Sequence, residues 1–526
     1  MHSNRDTVSS SLVADNKFAL FLAQCFQCWQ SILPYCSVYF ISLAYLQGYT
    51  LLAMPNSIAH TGIRPFVAIS FLALITEIFA AFLFLIILQK AIALRANGFM
   101  YSQLKPVDDK LDENQEDLYD DSKINFHLIS EMFLPVYLQV GFDLLCLVLF
   151  GVSEITNGLS GSQIFAVALH SSTRAVLPGF IWIGASLLIF MRRFLNRFIP
   201  VLSLIPLVIL IVTVVCCLVV GNAIHNPIHS SWEYGASPLL IVLASLGGTA
   251  RLMPYLVNFI QFERKSLIYF YLSIILAQIT TTALNILWCY AVLSVVPQTC
   301  NEIPSSFLNE SFTTGDQHCN LTLLWARDNG IIATTPLSLI LYQYYPQFRW
   351  AAVLVVLFVF MTTIISYLTA GLPLMTLSNK FILSNDIVTG INESFWKKYT
   401  SLVQKTQEQS DEDLLTNSAA ERQRVWMCFS EVFLQILVFL AIYLICHFGV
   451  HNFYNFANYA SALTSLLFNG LFIPILFYYA NSSKLGEVEV PLAVPGWLRF
   501  GALALMLIYF FMTIIDILMV AKVIKV

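Results

Sequence analysis

Charged residues are scarce in this chain: Asp, Glu, Lys and Arg make up 11% of its 526 residues. That scarcity, set beside 58% hydrophobic residues and a mean hydropathy of +0.74, excludes a soluble globular protein of this length. A strong excess of either charge is also missing. The formal net charge of -4 comes from hydrophilic stretches such as Asp108 to Asp121 and Asp411 to Asp413, which excludes a basic nucleic-acid-binding surface. The amino terminus lacks a cleavable signal, because residues 1 to 16 are polar and no small-residue cleavage site follows a short apolar core. Insertion is expected to rely on the first membrane helix. No catalytic constellation, metal-ligand cluster or cofactor motif is read, so the expectation is a non-enzyme without a cofactor.

What the chain has in abundance is apolar runs of membrane length. Windows of about 20 residues predict helices near 35–57, 65–94, 132–169, 176–191, 199–221, 233–260, 267–296, 348–379, 425–449, 454–480 and 497–521. The fold class is therefore an all-α integral membrane protein with about eleven transmembrane helices. The third run is long enough to hide a re-entrant piece, and the fourth is short before Met191-Arg-Arg193. A shorter apolar segment, Phe18 to Ile32, carries Gln24, Gln27 and Gln30 and reads as interfacial. If it spans, every orientation inverts.

Basic residues beside the spans set that orientation. With a cytoplasmic amino terminus, the outer side keeps Arg64, Arg174, Arg327, Arg349, Lys522 and Lys525; with Arg251 set aside, the other 20 of the 27 Lys and Arg are cytoplasmic. The largest outer loop agrees. Residues 297–347 hold Cys300 and Cys319, read as a disulfide, and two sequons, Asn309-Glu-Ser311 and Asn320-Leu-Thr322, read as glycosylation sites. Sequons at Asn392 and Asn481 fall on the cytoplasmic side and should remain unmodified. The carboxyl terminus is outer or lumenal.

Two of the apolar runs break in the same way, 199 residues apart. Gly48-Tyr49-Thr50-Leu-Leu-Ala-Met54-Pro55 and Gly247-Gly248-Thr249-Ala-Arg251-Leu-Met253-Pro254 share the pattern G-x-T-x-x-x-M-P. In lipid, backbone groups freed by Gly and Pro are tolerated where they line a cavity or are buried in protein. Matching interruptions in two halves of a chain point to a transporter's binding site; the alternative is that Gly and Pro are simply common in membrane helices. If spans one to five and six to ten are inverted repeats, each break lies in the first helix of its repeat. The resulting organisation is a tail at 1–34, repeats at 35–221 and 222–482, with a cytoplasmic loop at 380–424, and a last span with the carboxyl terminus at 483–526. Half-helix ends then offer amide N–H groups to a carboxylate and carbonyls to a cation or an ammonium group. An amino acid presents both charges.

Arg251 is a guanidinium at mid-membrane, so it must face the interior and have a partner. It reads either as an anion clamp or as a structural ion pair with Glu77, Asp143 or Glu154. Among these acids Glu154, in a polar patch with Ser153, Thr156 and Asn157, is the preferred proton-coupling candidate. Asp516, Glu431 and His447 read as packing seams or helix ends. Thr362, Thr363, Ser366 and Thr369 recur at helical spacing before Gly371-Leu-Pro373. They read either as a sodium site, with Thr362, Ser366 and Thr369 the ligands, or as hydroxyls bonded to their own i-4 carbonyls.

The chain resembles the amino acid/auxin permease family of the amino acid, polyamine and organocation superfamily, and within it the transmembrane protein 104-like branch. The first-span break looks like that family's G-[ST]-G-x-L-x-[LM]-P, and Asn56-Ser-Ile-Ala-His-Thr-Gly62 looks like the segment that comes after it. Ala-Arg251-Leu-Met-Pro254 through Lys265 resembles the sixth helix and its turn; Val140-Gly141 to Gly161 resembles the third, and Leu372-Pro373 the end of the eighth. The resemblance implies eleven spans, a five-plus-five inverted repeat with discontinuous first and sixth helices, and amino acid transport coupled to protons or sodium. Thr50 departs from the family's second Gly, and Arg251 stands near where the family often carries His, which leaves the coupling ion open.

The sequence thus predicts a secondary active transporter of amino acids or similar zwitterions, working by alternating access. The alternative is a non-transporting amino acid sensor of the same fold, signalling through the loops at 95–124 and 384–424. Expected partners are a small-molecule substrate, H+ or Na+, and membrane lipid, with no nucleic acid. Tyr101-Ser-Gln-Leu104 and Asp411-Glu-Asp-Leu414-Leu415 resemble sorting signals, which adds sorting adaptors as candidate partners and allows either the plasma membrane or an endolysosomal membrane.

Overall fold

The computed structural model describes residues 32–96, 124–224, 226–300, 319–383, 412–449, 456–482 and 488–520. The interfacial segment at 18–31, Asn309, Asn392 and most of both long cytoplasmic loops lie outside the described residues. All regular structure among the described residues is helical, as the absence of backbone partners in lipid requires. Ten helices are long and apolar enough to cross a membrane, and a bent pair, Ile32–Leu46 with Tyr49–Ser57, makes an eleventh span.

In chain order that pair is span one. It is followed by span two (Ile63–Ala96), three (Val136–Ala168), four (Thr173–Met191), five (Phe198–Ile224) and six (Ala236–Phe259). Then come span seven (Arg264–Val295), eight (Pro346–Asn379), nine (Ser430–Phe448), ten (Asn458–Ala480) and eleven (Leu498–Val520). Each matches a predicted run to within five residues at either end.

The long third run is one continuous helix from Val136 to Ala168. A short helix, Phe126–Phe133, precedes span three, and the chain is extended at Leu134 and Pro135. The pyrrolidine ring of Pro135 clashes with a helical residue before it, so Leu134 leaves the helix (φ -101°, ψ 145°). Asn125 caps the short helix by accepting from the Leu128 N–H at 2.9 Å.

Most spans are apolar on every side, and burial rather than polarity patterning separates core from periphery. In span six 94% of the apolar window is buried inside the protein, whereas in spans four, nine and eleven the share is 22%. Span six is therefore the centre of the bundle. Peripheral spans present side chains such as Phe190, Phe448 and Phe500 outward, where lipid is the solvent.

Spans one to four each pack against the span five positions later: one on six, two on seven, three on eight and four on nine. Span two is also tied to span seven by the Tyr271 hydroxyl, which donates to the Ile78 carbonyl at 2.9 Å.

Candidate functional site between the two breaks

The two G-x-T-x-x-x-M-P segments meet at the centre of the bundle but differ in backbone. Span one bends by 44° at its break, and Gly48 leaves helical conformation (φ -64°, ψ -145°). Span six is only interrupted. Gly247 stays near-helical (φ -63°, ψ -12°), its N–H still donates to Leu243 at 2.9 Å, and 236–259 runs as one span. The two expected discontinuities thus differ in degree, a bend in span one and a milder interruption in span six. Close neighbours explain the glycines: a Cβ on Gly48 would lie 2.2 Å from Ser366 Oγ, and one on Gly247 would lie 2.3 Å from Asn469 Nδ2.

Hydroxyls cover the carbonyl that ends the first half of each helix. Thr50 donates to Ser245 Oγ at 3.1 Å, and Ser245 donates to the Leu46 carbonyl at 3.3 Å, which links span one directly to span six. In span six Thr249 donates to the Leu246 carbonyl at 3.1 Å and accepts from Gln278 Nε2 of span seven at 2.7 Å. Thr at the third motif position therefore has one job in both halves: it satisfies backbone that the break exposes.

Arg251 is 2% exposed, one turn beyond Gly247. Its hydrogen bond to backbone is a long one, Nη2 to the Ala244 carbonyl at 3.5 Å, and its Nε has no partner among the described residues. No described carboxylate lies within ion-pair distance of it. The nearest interacting groups are Tyr45 and Tyr49 at the first break and Glu77 of span two. Glu77 is buried and accepts from both Asn469 Nδ2 (3.0 Å) and the Tyr509 hydroxyl (2.5 Å). Asn469 sits in a π-helical stretch of span ten, Leu467–Phe472, a deformation that often marks functional positions.

The other two acids are placed elsewhere. Asp143 is buried beside the short helix, where His127 Nδ1 (2.7 Å) and Ser130 Oγ (2.8 Å) hold it. Glu154 faces Tyr367 of span eight and Cys446 of span nine, and neither of its oxygens has a hydrogen-bond partner. The polar atoms of Gln47 and Asn157 and Thr362 Oγ1 are likewise buried without partners among the described residues. Each unmet buried polar group costs about 1–3 kcal/mol. Such groups mark places built for water, ions or a polar ligand.

The span-eight hydroxyls separate. Thr369 and Thr363 donate to their own i-4 carbonyls, Ile365 and Val359, both at 2.7 Å. Ser366 instead lies against Gly48, and Thr362 is unpartnered. Sequence reasoning did not single out Gln47, Tyr45, Gln278, Asn469 or Tyr509. Their signal was present as isolated polar side chains in apolar runs, but their partners are as many as 432 positions away.

One face of the site is latched by loop backbone. Gly330, in a left-handed turn (φ 65°), exposes two carbonyls: its own, which accepts from Gln163 Nε2 at 3.1 Å, and that of Ile331, which accepts from Asn56 Nδ2 at 2.7 Å. Asn56 directly follows the first break, so the latch joins spans one and three. The same loop carries the predicted disulfide: Cys300 is bonded to Cys319, with Cα atoms 5.0 Å apart. Asn320 beside it is exposed.

By sequence, neither a family model nor a curated protein matches this chain. By structure, it is similar to a manganese transporter of Eremococcus coleocola in complex with an aromatic bis-isothiourea substituted compound. That similarity has 11% identity and a TM-score of 0.47, over 94% of this chain and 87% of that one. A mutant of the same transporter matches at 12% identity with the same coverage and TM-score. Among the described residues no three His, Cys, Asp or Glu side chains group as metal ligands. What the fold and site define is an integral, multi-pass, all-helical membrane protein with a buried polar centre between two interrupted helices.

Proposed function

We propose that this protein is a secondary active transporter of amino acids or similar small zwitterions, of the amino acid/auxin permease type, driven by protons or sodium. One observation carries the reading. A guanidinium with a free Nε is buried between two interrupted helices, beside the Tyr45 hydroxyl of the first break. Arg251 suits a substrate carboxylate, and the Gly48–Thr50 bend, with Gly247, Gly248 and Thr249 opposite, shapes the space for the rest of the substrate. Ser366, which lies against Gly48, and Thr362, whose hydroxyl is unpartnered among the described residues, are the candidate sodium ligands, with Thr369 less suited because its hydroxyl is already engaged. The loop with Cys300–Cys319 faces the outside or a lumen, and Asn309 and Asn320 carry glycans there.

Uptake of labelled neutral amino acids into proteoliposomes, with and without pH and sodium gradients, tests this reading. The expected result is gradient-driven accumulation that Arg251→Ala abolishes while the protein still reconstitutes. Binding without counterflow would replace the transporter with a sensor of the same fold, and uptake that survives Arg251→Ala would make the residue structural.

A further inference from the structure

We propose that Glu77, rather than Glu154, carries the coupled proton, and that it does so by exchanging charge with the substrate at Arg251. The inference rests on the transporter reading above and adds its coupling step. Arg251 has no carboxylate in direct contact, yet Glu77 is near enough to interact with it across the span-six interruption. Glu77 is also equipped to be an anion, since two donors from two different spans, Asn469 Nδ2 and the Tyr509 hydroxyl, point at its oxygens.

The groups facing Glu77 are few. Arg251 comes from span six, Tyr509 from span eleven and the neutral Asn469 amide from span ten. Tyr271 of span seven is engaged with the Ile78 carbonyl, and Asp143 of span three is held by His127 and Ser130. Asp516 of span eleven interacts with Tyr459 instead. Arg251 is thus the one cation that balances Glu77 among the described residues.

That isolation fixes the exchange. Without substrate, the buried region holds one positive and one negative charge. When a zwitterion places its carboxylate on Arg251, the region gains an ammonium and a carboxylate, and two carboxylates then compete for one guanidinium. A proton taken up on a Glu77 carboxylate oxygen ends that competition, leaves the Arg251–substrate pair intact and gives the region one net positive charge, that of the substrate ammonium, which carbonyls freed at the first break accept. Release of the substrate returns Arg251 to Glu77, whose proton then leaves on the receiving side. One proton moves with each zwitterion, and the cycle carries one net positive charge. Glu77 also reads the state of the break, because its donor Asn469 is the residue against which Gly247 packs.

The test uses the full chain in proteoliposomes containing a pH dye, with a labelled mixture of neutral L-amino acids as the probe. Wild type is expected to show counterflow and to acidify the lumen when the mixture is added outside. Glu77→Gln, a neutral isostere of the protonated side chain, is expected to keep counterflow and lose the acidification, while Glu154→Gln keeps both. Tyr509→Phe removes one donor to the anion, so its uptake profile should move about one unit towards higher pH. If Glu77→Gln fails to reconstitute, that shift decides: a profile unchanged in Tyr509→Phe overturns the inference. Acidification that persists in Glu77→Gln overturns it too, with the transporter reading intact. Absence of counterflow in wild type removes both.

Discussion

The first and second breaks carry the same eight-residue pattern and adopt different backbones. At the first, the helix bends by 44° around a non-helical Gly48; at the second, Gly247 remains near-helical and the span runs on. The difference lies in the neighbours of each glycine and in the residues just beyond it. Gly48 lies against the Ser366 hydroxyl, whereas Gly247 lies against an amide already committed to Glu77, and Gly248 lies against the Tyr45 ring. The first break offers displaced backbone, and the second offers a charge, Arg251. A shared pattern therefore marks where a site is, while the neighbours decide whether backbone or side chain does the chemistry there.

The sharpest way to break this comparison is to remove the charge. Arg251→Ala should abolish uptake, and Arg251→Lys should restore little, because a compact ammonium lacks the planar fork that grips a carboxylate. Uptake rates of the two variants at matched protein content check this.

Next in size is the glycine at the bend. Gly48→Ala places a methyl group 2.2 Å from Ser366 Oγ, and overpacking of this kind costs about 1–3 kcal/mol. Reduced thermal stability and slower uptake are expected, with partial recovery in Gly48→Ala combined with Ser366→Ala. If the double variant is no better than the single one, Ser366 is not what constrains the bend.

Smaller effects should come from the paired threonines. Thr50→Val and Thr249→Val each remove one hydroxyl that serves freed backbone, and hydrogen bonds within membrane bundles average about 0.6 kcal/mol. Thr249→Val should cost more, since it also strands the Gln278 amide that donates to it at 2.7 Å. Melting of the two purified variants side by side tests the order. The smallest effect is expected at the exposed loop: Asn320→Gln should remove a glycan, seen as a mobility shift, and leave transport unchanged.

Much of the fold was legible in the sequence because membrane spans obey a local rule. Twenty or so apolar residues must form a helix wherever they lie. The same locality made the Cys300–Cys319 pair readable, since those residues share one short loop. The third run was read as starting four residues early because hydropathy is blind to the extended pair Leu134-Pro135, although Pro135 signalled it. How far each helix opens at its break was not legible, because glycines permit unwinding without compelling it. Least legible were the contacts that define the site. Glu77 reaches Asn469 and Tyr509 across 392 and 432 positions, and Asn469 is aimed by a π-helical turn with no sequence signature of its own. Of the three acids read as partners for Arg251, local sequence did not rank one above another; packing did.

The most direct test of the central claim is counterflow in proteoliposomes loaded with unlabelled neutral amino acids, comparing wild type with Arg251→Ala. The account predicts accumulation of external label by wild type and none by the variant, both proteins being reconstituted to the same density. Equal label accumulation by both, or none by wild type, would contradict it.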